Sequence, residues 1–370
     1  MNAALKIPLY AKITLICVGM LAFFAMLYIA QGIIVPIIYS ILLAIVLGPV
    51  VNFFVRRKVN RVIAISLTLT IVIITSLSIV GVLTSQMGMF SDSVPALTEK
   101  FNIMVHDMSI WVSEKFNIRI DTVHGWVNEA NSEIAKTGKM MIGRTIVNIG
   151  NVLVVVFLIP VYTFLVLFYK PLLVEFIHEL FSHSKHAAIN DILKTTKTII
   201  QSYLVGLMLE AIIVATLNSG SLLLIGVDYA ILLGVIGALL NVIPYIGGII
   251  AVAMPMILAI ANKSPSSALL VLVSYLIIQF IDNHYIIPKV VASKVQINAL
   301  VSIIVVLAGG ALWGFGGMFL AIPVTAIIKV ICDHVEALKP WGHVLGNVIK
   351  KPLILPVSKA NFTVIANQSS

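Results

Sequence analysis

YAILLGVIGALLNVIPYIGGIIAVAMPMILAIA, residues 229–261, carries no charged side chain from end to end. As one continuous helix it would run about 50 Å, well past a hydrocarbon core of about 30 Å. Its centre is interrupted by Asn241, Pro244, Gly247 and Gly248, residues that loosen or stop a helix. Two shorter helical arms joined at that interruption fit the bilayer better, as a re-entrant hairpin. Non-helical backbone at membrane depth is tolerated only where it is buried in protein or lines a cavity.

A second segment, Ile297–Val330, repeats the design, with Gly309-Gly310, Trp313-Gly314 and Gly316-Gly317 in its middle. In each segment an aromatic residue lies near a Gly-Gly pair, and a proline follows, Pro255 in one and Pro323 in the other. Each follows an ordinary apolar span, Ile199–Val227 or Ser267–Ile287, so a span-plus-broken-segment unit occurs twice. Paired interrupted segments at corresponding positions are the best sequence pointer to a transporter site. If both are hairpins, the two repeats enter from opposite faces as an inverted repeat.

The rest of the chain agrees with an all-α, polytopic transmembrane bundle. Of its 370 residues 60% are apolar and 11% charged, with a mean hydropathy of +1.09. A soluble chain carries about a quarter charged residues. The apolar runs lack the period-two alternation of a membrane strand, and helices satisfy their own backbone polar groups in lipid. Further spans are read at Ile13–Ala30, Ile33–Val55, Val62–Thr84 and Ile146–Tyr169. Lys6 and Lys12 ahead of the first give it a signal-peptide look, but a second apolar run begins directly after Gln31-Gly32, which reads as an uncleaved helical hairpin.

Arg56, Arg57, Lys58 and Arg61 form the sharpest charge cluster, placing that loop, the N-terminus and the Lys-rich C-terminus in the cytoplasm by the positive-inside rule. The five regions expected are 1–84 with three spans, 85–144, 145–198 with one span and a cytoplasmic interfacial helix, a core at 199–335, and a cytoplasmic tail at 336–370. The 85–144 stretch, with Trp111 and Trp126, reads as amphipathic helices outside the membrane. It is too short to bury its aromatics alone, so a homo-oligomer is expected. The net charge of +9 belongs to cytoplasmic loops, since no basic run is interleaved with aromatics as nucleic-acid binding would require.

No P-loop, HExxH or nucleophile elbow is present, so the chain is not read as an enzyme and needs no cofactor. His178, His183 and His186 lack the further ligands of a metal centre. Cys17 and Cys332 are far apart in apolar surroundings and read as packing residues. Chemistry is more plausible at polar groups within the spans. Glu210 sits mid-span in LMLEAI, where a charge needs a cavity or a partner. Gln279, Asp282 and Asn283 offer oxygens within one helical turn to a cation or polar solute. Asn151, Gln201 and Asn218 suit interhelical hydrogen bonding, and the Gly-Gly pairs alone would also suit close helix packing.

These residues resemble the AI-2E family of transporters, the PerM-like membrane proteins. The resemblance rests on LLNVIPYIG at 239–247, Gln279-xx-Asp282-Asn283-xxxx-Pro288, GFGGMFLAIP at 314–323 and FLIPVYTFLVL at 157–167. The chain departs from the family in having Asp282 where glutamate is usual, and in lacking a glycine near Ala292-Ser293 and a His-Pro pair near Asn298-Ala299. The family takes its name from export of autoinducer-2, a furanone-derived signal, and other members are associated with sodium/proton antiport. The resemblance implies a multi-pass inner-membrane exporter of a small polar solute. Without an ATP-binding motif, a proton or sodium gradient would drive it, with Glu210 and Asp282 as ion-coupling groups. Asn241, Gln279 and Asn283 would bind solute, and the turns near Asn241–Gly248 and Gly309–Gly317 would line the cavity. A passive channel, a sodium/proton antiporter or a membrane scaffold are the alternatives.

Overall fold

Helices α1 (Leu9–Ile29), α2 (Gln31–Arg56) and α3 (Arg61–Phe116) open the chain in a computed structural model. Residues 8–116, 157–181, 186–241, 247–291 and 297–346 are described. Then come α4 (Phe157–Phe168), α5 (Lys170–Glu179), α6 (His186–Ile225), α7 (Ala230–Asn241) and α8 (Gly247–Asn262). Last are α9 (Pro265–Ile281), a π-helical segment at Asp282–Val291, α10 (Ala299–His334) and α11 (Lys339–Leu345). Among the described residues there is no strand, only an isolated bridge between Ile297 and Gly346. Among the described residues six helices are long and apolar enough to cross a membrane, besides α4 and α5, which meet at a 64° bend.

Helix starts follow local chemistry. Ser264 caps α9, its hydroxyl accepting the Ser267 N–H at 3.2 Å, with Pro265 in the first turn. Asn298 caps α10 in the same way, accepting the Val301 N–H at 2.8 Å.

Both interrupted segments fold back on themselves. In α10, Trp313 and Gly314 leave helical geometry, Gly314 at φ +61° and ψ −144°, a region open to glycine. Gly309 lies directly against the Gly317 carbonyl, and Ala321 Cβ is 3.3 Å from the place a Gly309 Cβ would take. On a straight helix residues 309 and 321 would be about 18 Å apart along the axis, so 299–312 and 315–334 are antiparallel arms. Their base is closed by Asn298, whose backbone N–H donates to the Leu345 carbonyl at 3.1 Å and whose amide donates to that of Gly346 at 3.3 Å. α7 and α8 make the other hairpin, each too short to cross the core, at about 18 and 24 Å. Ala230 and Leu233 share a buried cluster with Leu258 and Ala259, and Asn262 donates to Asp228 at 2.9 Å across the base.

α6 ties the two hairpins together. Near its start Asp191 meets His334 at the end of α10, 3.2 Å apart. At its end the Ile225 carbonyl accepts from Lys263 Nζ at 2.8 Å, beside the base of α7 and α8. The two hairpin bases therefore lie at opposite ends of α6, whose full length is about 60 Å. The buried stripe of α6 carries Ile200, Leu204, Leu207, Glu210, Val214 and Asn218. It packs with Leu42 of α2 and with Val306 and Leu320 of α10.

Three sequence expectations change in form. The hairpin expected between the first two spans is absent. Ala30 alone separates α1 from α2, its carbonyl still accepting from Ile33 and Ile34 at 3.0 Å, and a single residue cannot reverse a helix. Across Thr84 and Ser85 α3 continues unbroken, so the third span and the start of 85–144 are one rod of about 84 Å. The stretch 117–144, Trp126 included, lies outside the described residues, as do Pro244, His183, the first part of the fourth span and the tail after residue 346. Finally, the expected interfacial helix at 170–197 is divided: α5 carries 170–179, while residues from His186 onward belong to α6.

Candidate functional site

Asp282 stands where α9 passes into the π-helical segment, fully buried at 0% exposure. Widened helical turns of this kind are frequent at functional sites. Asn241, the last residue of α7, donates its amide to Asp282 Oδ2 at 2.8 Å. The other carboxyl oxygen, Oδ1, has no hydrogen-bond partner, an arrangement that costs free energy in an apolar interior. Glu210, 4% exposed on the inner stripe of α6, lies within electrostatic reach of Asp282. The π-helical segment meets α6 closely: Gly206, one turn before Glu210, lies against the Val290 carbonyl, where a side chain would not fit.

Hairpin α7–α8 completes the cluster. A Cβ on Gly248, in the first turn of α8, would sit 3.1 Å from the Tyr275 hydroxyl, 3.7 Å from Gln279 Oε1 and 3.9 Å from Asn241 Oδ1. Tyr275, Gln279 and Asp282 follow one another at i, i+4 and i+7 along α9, one face of that helix. Tyr275 also borders a small cleft, with room for about one water, lined by Asn218 and Ser221 of α6, Ala251, Val252 and Pro255 of α8, and Val271 of α9.

Of the sequence candidates, Glu210, Asn241, Gln279, Asp282 and the hairpin glycine Gly248 are brought together. Gly247 begins α8. Asn283 is exposed, one position round from Asp282. The α10 glycines sit elsewhere. Gly314 forms the turn, while Gly309, Gly310 and Gly317 let the arms approach, Met318 Cε being 2.6 Å from a Cβ on Gly310. Gly316 carries a carbonyl that accepts from Tyr39 of α2 at 3.0 Å, and Trp313 donates to the Leu27 carbonyl of α1 at 3.1 Å. Hairpin α10 is therefore held by α1 and α2. Tyr275 is the site residue that sequence reasoning missed, although its spacing from Gln279 and Asp282 signals it.

No group of three or more His, Cys, Asp or Glu side chains suited to a metal ion occurs among the described residues. A fully buried carboxylate with one free oxygen, a second acid in reach and amide and phenol groups alongside can bind a proton, a small cation or a hydrogen-bonding solute.

Residues 17–337 match the model of a family described as "AI-2E family transporter". TqsA of Escherichia coli (strain K12), named an AI-2 transport protein, is 23% identical over 324 residues, 87% of this chain and 92% of the relative. YhhT of the same strain is 24% identical over 327 residues, 86% of this chain and 89% of the relative. YrrI of Bacillus subtilis (strain 168) is 34% identical over 132 residues, 36% of this chain and 37% of the relative.

Proposed function

Since the chain belongs to the AI-2E transporter family, we propose that it is a secondary transporter exporting a small polar solute, driven by a proton or sodium gradient, with the Glu210–Asp282 cluster as its site. The observation that carries this reading is the free Oδ1 of the fully buried Asp282, with buried Glu210 within electrostatic reach. A carboxyl at membrane depth is retained where it binds an ion or a substrate. Asn241 fixes one oxygen and leaves the other for the ligand. Gln279 and Tyr275 supply further polar contacts, and the short α7–α8 hairpin is the element able to move against α6 and α9. The name of TqsA makes a signal such as autoinducer-2 one candidate solute.

The proposed setting is the inner membrane with Arg56–Arg61 and the C-terminal end of α10 cytoplasmic. One string of contacts supports a common face: Arg61 donates to the Leu167 carbonyl at 2.6 Å, His178 meets Asn190 at 3.0 Å, and Asp191 meets His334. On this topology the hairpins enter from opposite faces, α10 from the cytoplasm and α7–α8 from outside, the arrangement of an inverted repeat. α1 buries none of its residues, which leaves that helix to lipid or to a second copy in a homo-oligomer.

Flux in proteoliposomes, with a solute panel and imposed proton or sodium gradients, tests the reading. Gradient-dependent efflux is expected. Flux that ignores both gradients would instead favour a passive facilitator, and no flux of any solute would favour a scaffold.

A further inference from the structure

The junction of α2 and α3 carries Arg56, Arg57, Lys58 and Arg61, and the chain has no acidic residue before Asp92. Arg61 is turned toward α4, its guanidinium donating to the Leu167 carbonyl at 2.6 Å, while Phe54 and Val59 pack in one apolar cluster with Leu167. Three residues after Leu167 stands Lys170, which opens α5 at the 64° bend. α6 brings a third cation. His178 of α5 meets Asn190 of α6 at 3.0 Å, the chain reversing between them. Eight residues back along α5 cover about 12 Å and seven forward along α6 about 10.5 Å, which sets Lys197 beside Lys170. Both Lys197 and Arg61 lie within electrostatic reach of Lys170. Arg61 and Lys197 are half-buried and Lys170 is exposed.

No carboxylate answers this charge. Glu175 and Glu179 lie about 140° and 180° round α5 from Lys170, and Asp191 is engaged by His334. Among the described residues the ion pairs join Lys329 to Asp333, His334 to Asp191 and Lys339 to Glu336, and none uses the three cations. Like charges gathered from three helices repel one another, and an anion among them removes that cost. We propose that Arg61, Lys170 and Lys197 bind the phosphate of an anionic phospholipid at the corner where α3, the α4–α5 bend and α6 meet. The neighbours of the cluster favour a lipid over a free anion. Phe168 at the end of α4 and Leu172, Leu173 and Phe176 of α5 are exposed apolar residues. On a helix bent away from its span at the membrane surface, such residues meet acyl chains, while the cations meet headgroups. Arg61, fixed by the Leu167 carbonyl, still has N–H groups for a phosphate oxygen.

The test uses full-length protein in mild detergent with equimolar phosphatidylglycerol and phosphatidylcholine, read by native mass spectrometry. Wild type is expected to carry phosphatidylglycerol about fivefold or more over phosphatidylcholine. Lys170→Gln/Lys197→Gln is expected to bring that ratio to within about twofold of unity, and Lys170→Arg/Lys197→Arg to keep it. Lys289→Gln/Lys339→Gln, which removes the same charge elsewhere, is expected to keep it too. Chromatographic monodispersity of each variant controls for folding, and the single exposed change Lys170→Gln, expected to lower the ratio about twofold or more, stands in should the double variant aggregate. An unchanged ratio in the glutamine variants would overturn the inference. So would an equal loss in Lys289→Gln/Lys339→Gln, which would assign the preference to overall charge. Melting temperature separates lipid from free anion. Phosphatidylglycerol is expected to raise that of wild type and not of Lys170→Gln/Lys197→Gln, and inorganic phosphate to raise neither. A rise with inorganic phosphate that the double variant loses would give the site to a soluble anion and overturn the lipid.

Discussion

Gly248 and Asp282 show what single residues decide here. The neighbours of a Cβ on Gly248 are the ends of side chains: the Tyr275 hydroxyl and the amide oxygens of Gln279 and Asn241. These can swing aside, so Gly248→Val is expected to fold at close to wild-type yield. Asn241 is the group that holds Asp282, and Tyr275 and Gln279 share its helix face, so flux per folded protein is expected to fall about tenfold or more, read in proteoliposomes. Much of this cluster was legible in the sequence, because an amide or an acid within an apolar run has to be accounted for. Asn241, Glu210, Gln279 and Asp282 all announced themselves in that way. Tyr275 did not, since an aromatic residue in a span passes as packing until its spacing from Gln279 and Asp282 is counted. Asn283 looked equivalent to Asp282 by composition, but adjacent helical positions point about 100° apart, and it is exposed.

At the scale of elements, the interruptions in the two long segments proved to be folds of the chain, as their length required. What the sequence could not assign was the job of each glycine. Gly316-Gly317 reads like a turn, yet the α10 turn falls at Trp313 and Gly314, where a positive φ singles out glycine. Gly309 and Gly317 instead bring the two arms into backbone contact, the use of small residues common between helices in lipid. Their neighbours are carbonyls that cannot move aside. Gly309→Val is therefore expected to destabilise the fold by about 1–3 kcal/mol or more, seen as lower monodisperse yield and lower melting temperature in detergent. Wild-type yield and melting temperature would show that the arms are further apart than described. Gly317→Val is expected to cost folding in the same way, since a Cβ there would meet the Gly309 carbonyl. The π-helical turns after Asp282 were not legible either, because Asp282–Val291 has no residue pattern that distinguishes them from an ordinary helix end.

For the molecule as a whole, the opposed positions of the hairpin bases on α6 make an accessibility pattern. In a background lacking Cys17 and Cys332, a cysteine at Arg57 is expected to resist an impermeant thiol reagent added to intact cells. One at Lys263, at the base of α7–α8, is expected to react. The reverse pattern would invert the proposed topology, and equal labelling of both would remove the opposed entry of the hairpins. The basic residues at Arg56–Arg61 are what the sequence offers for orientation, since charge bias in short loops sets it, and the labelling tests that expectation. The long rod of α3 was not, because nothing near Ser85 marks whether an amphipathic stretch continues a span or folds away from it.

The central claim is that Asp282 couples an ion to solute movement. The direct measurement is gradient-dependent flux of wild type and Asp282→Asn, per folded protein, in proteoliposomes with an imposed proton or sodium gradient. Asparagine is nearly isosteric and keeps a carbonyl facing Asn241, so folding should be retained. The expected result is wild-type flux that rises at least tenfold with the gradient, and variant flux that is low and indifferent to it. A variant whose flux still follows the gradient as the wild type does would contradict the claim.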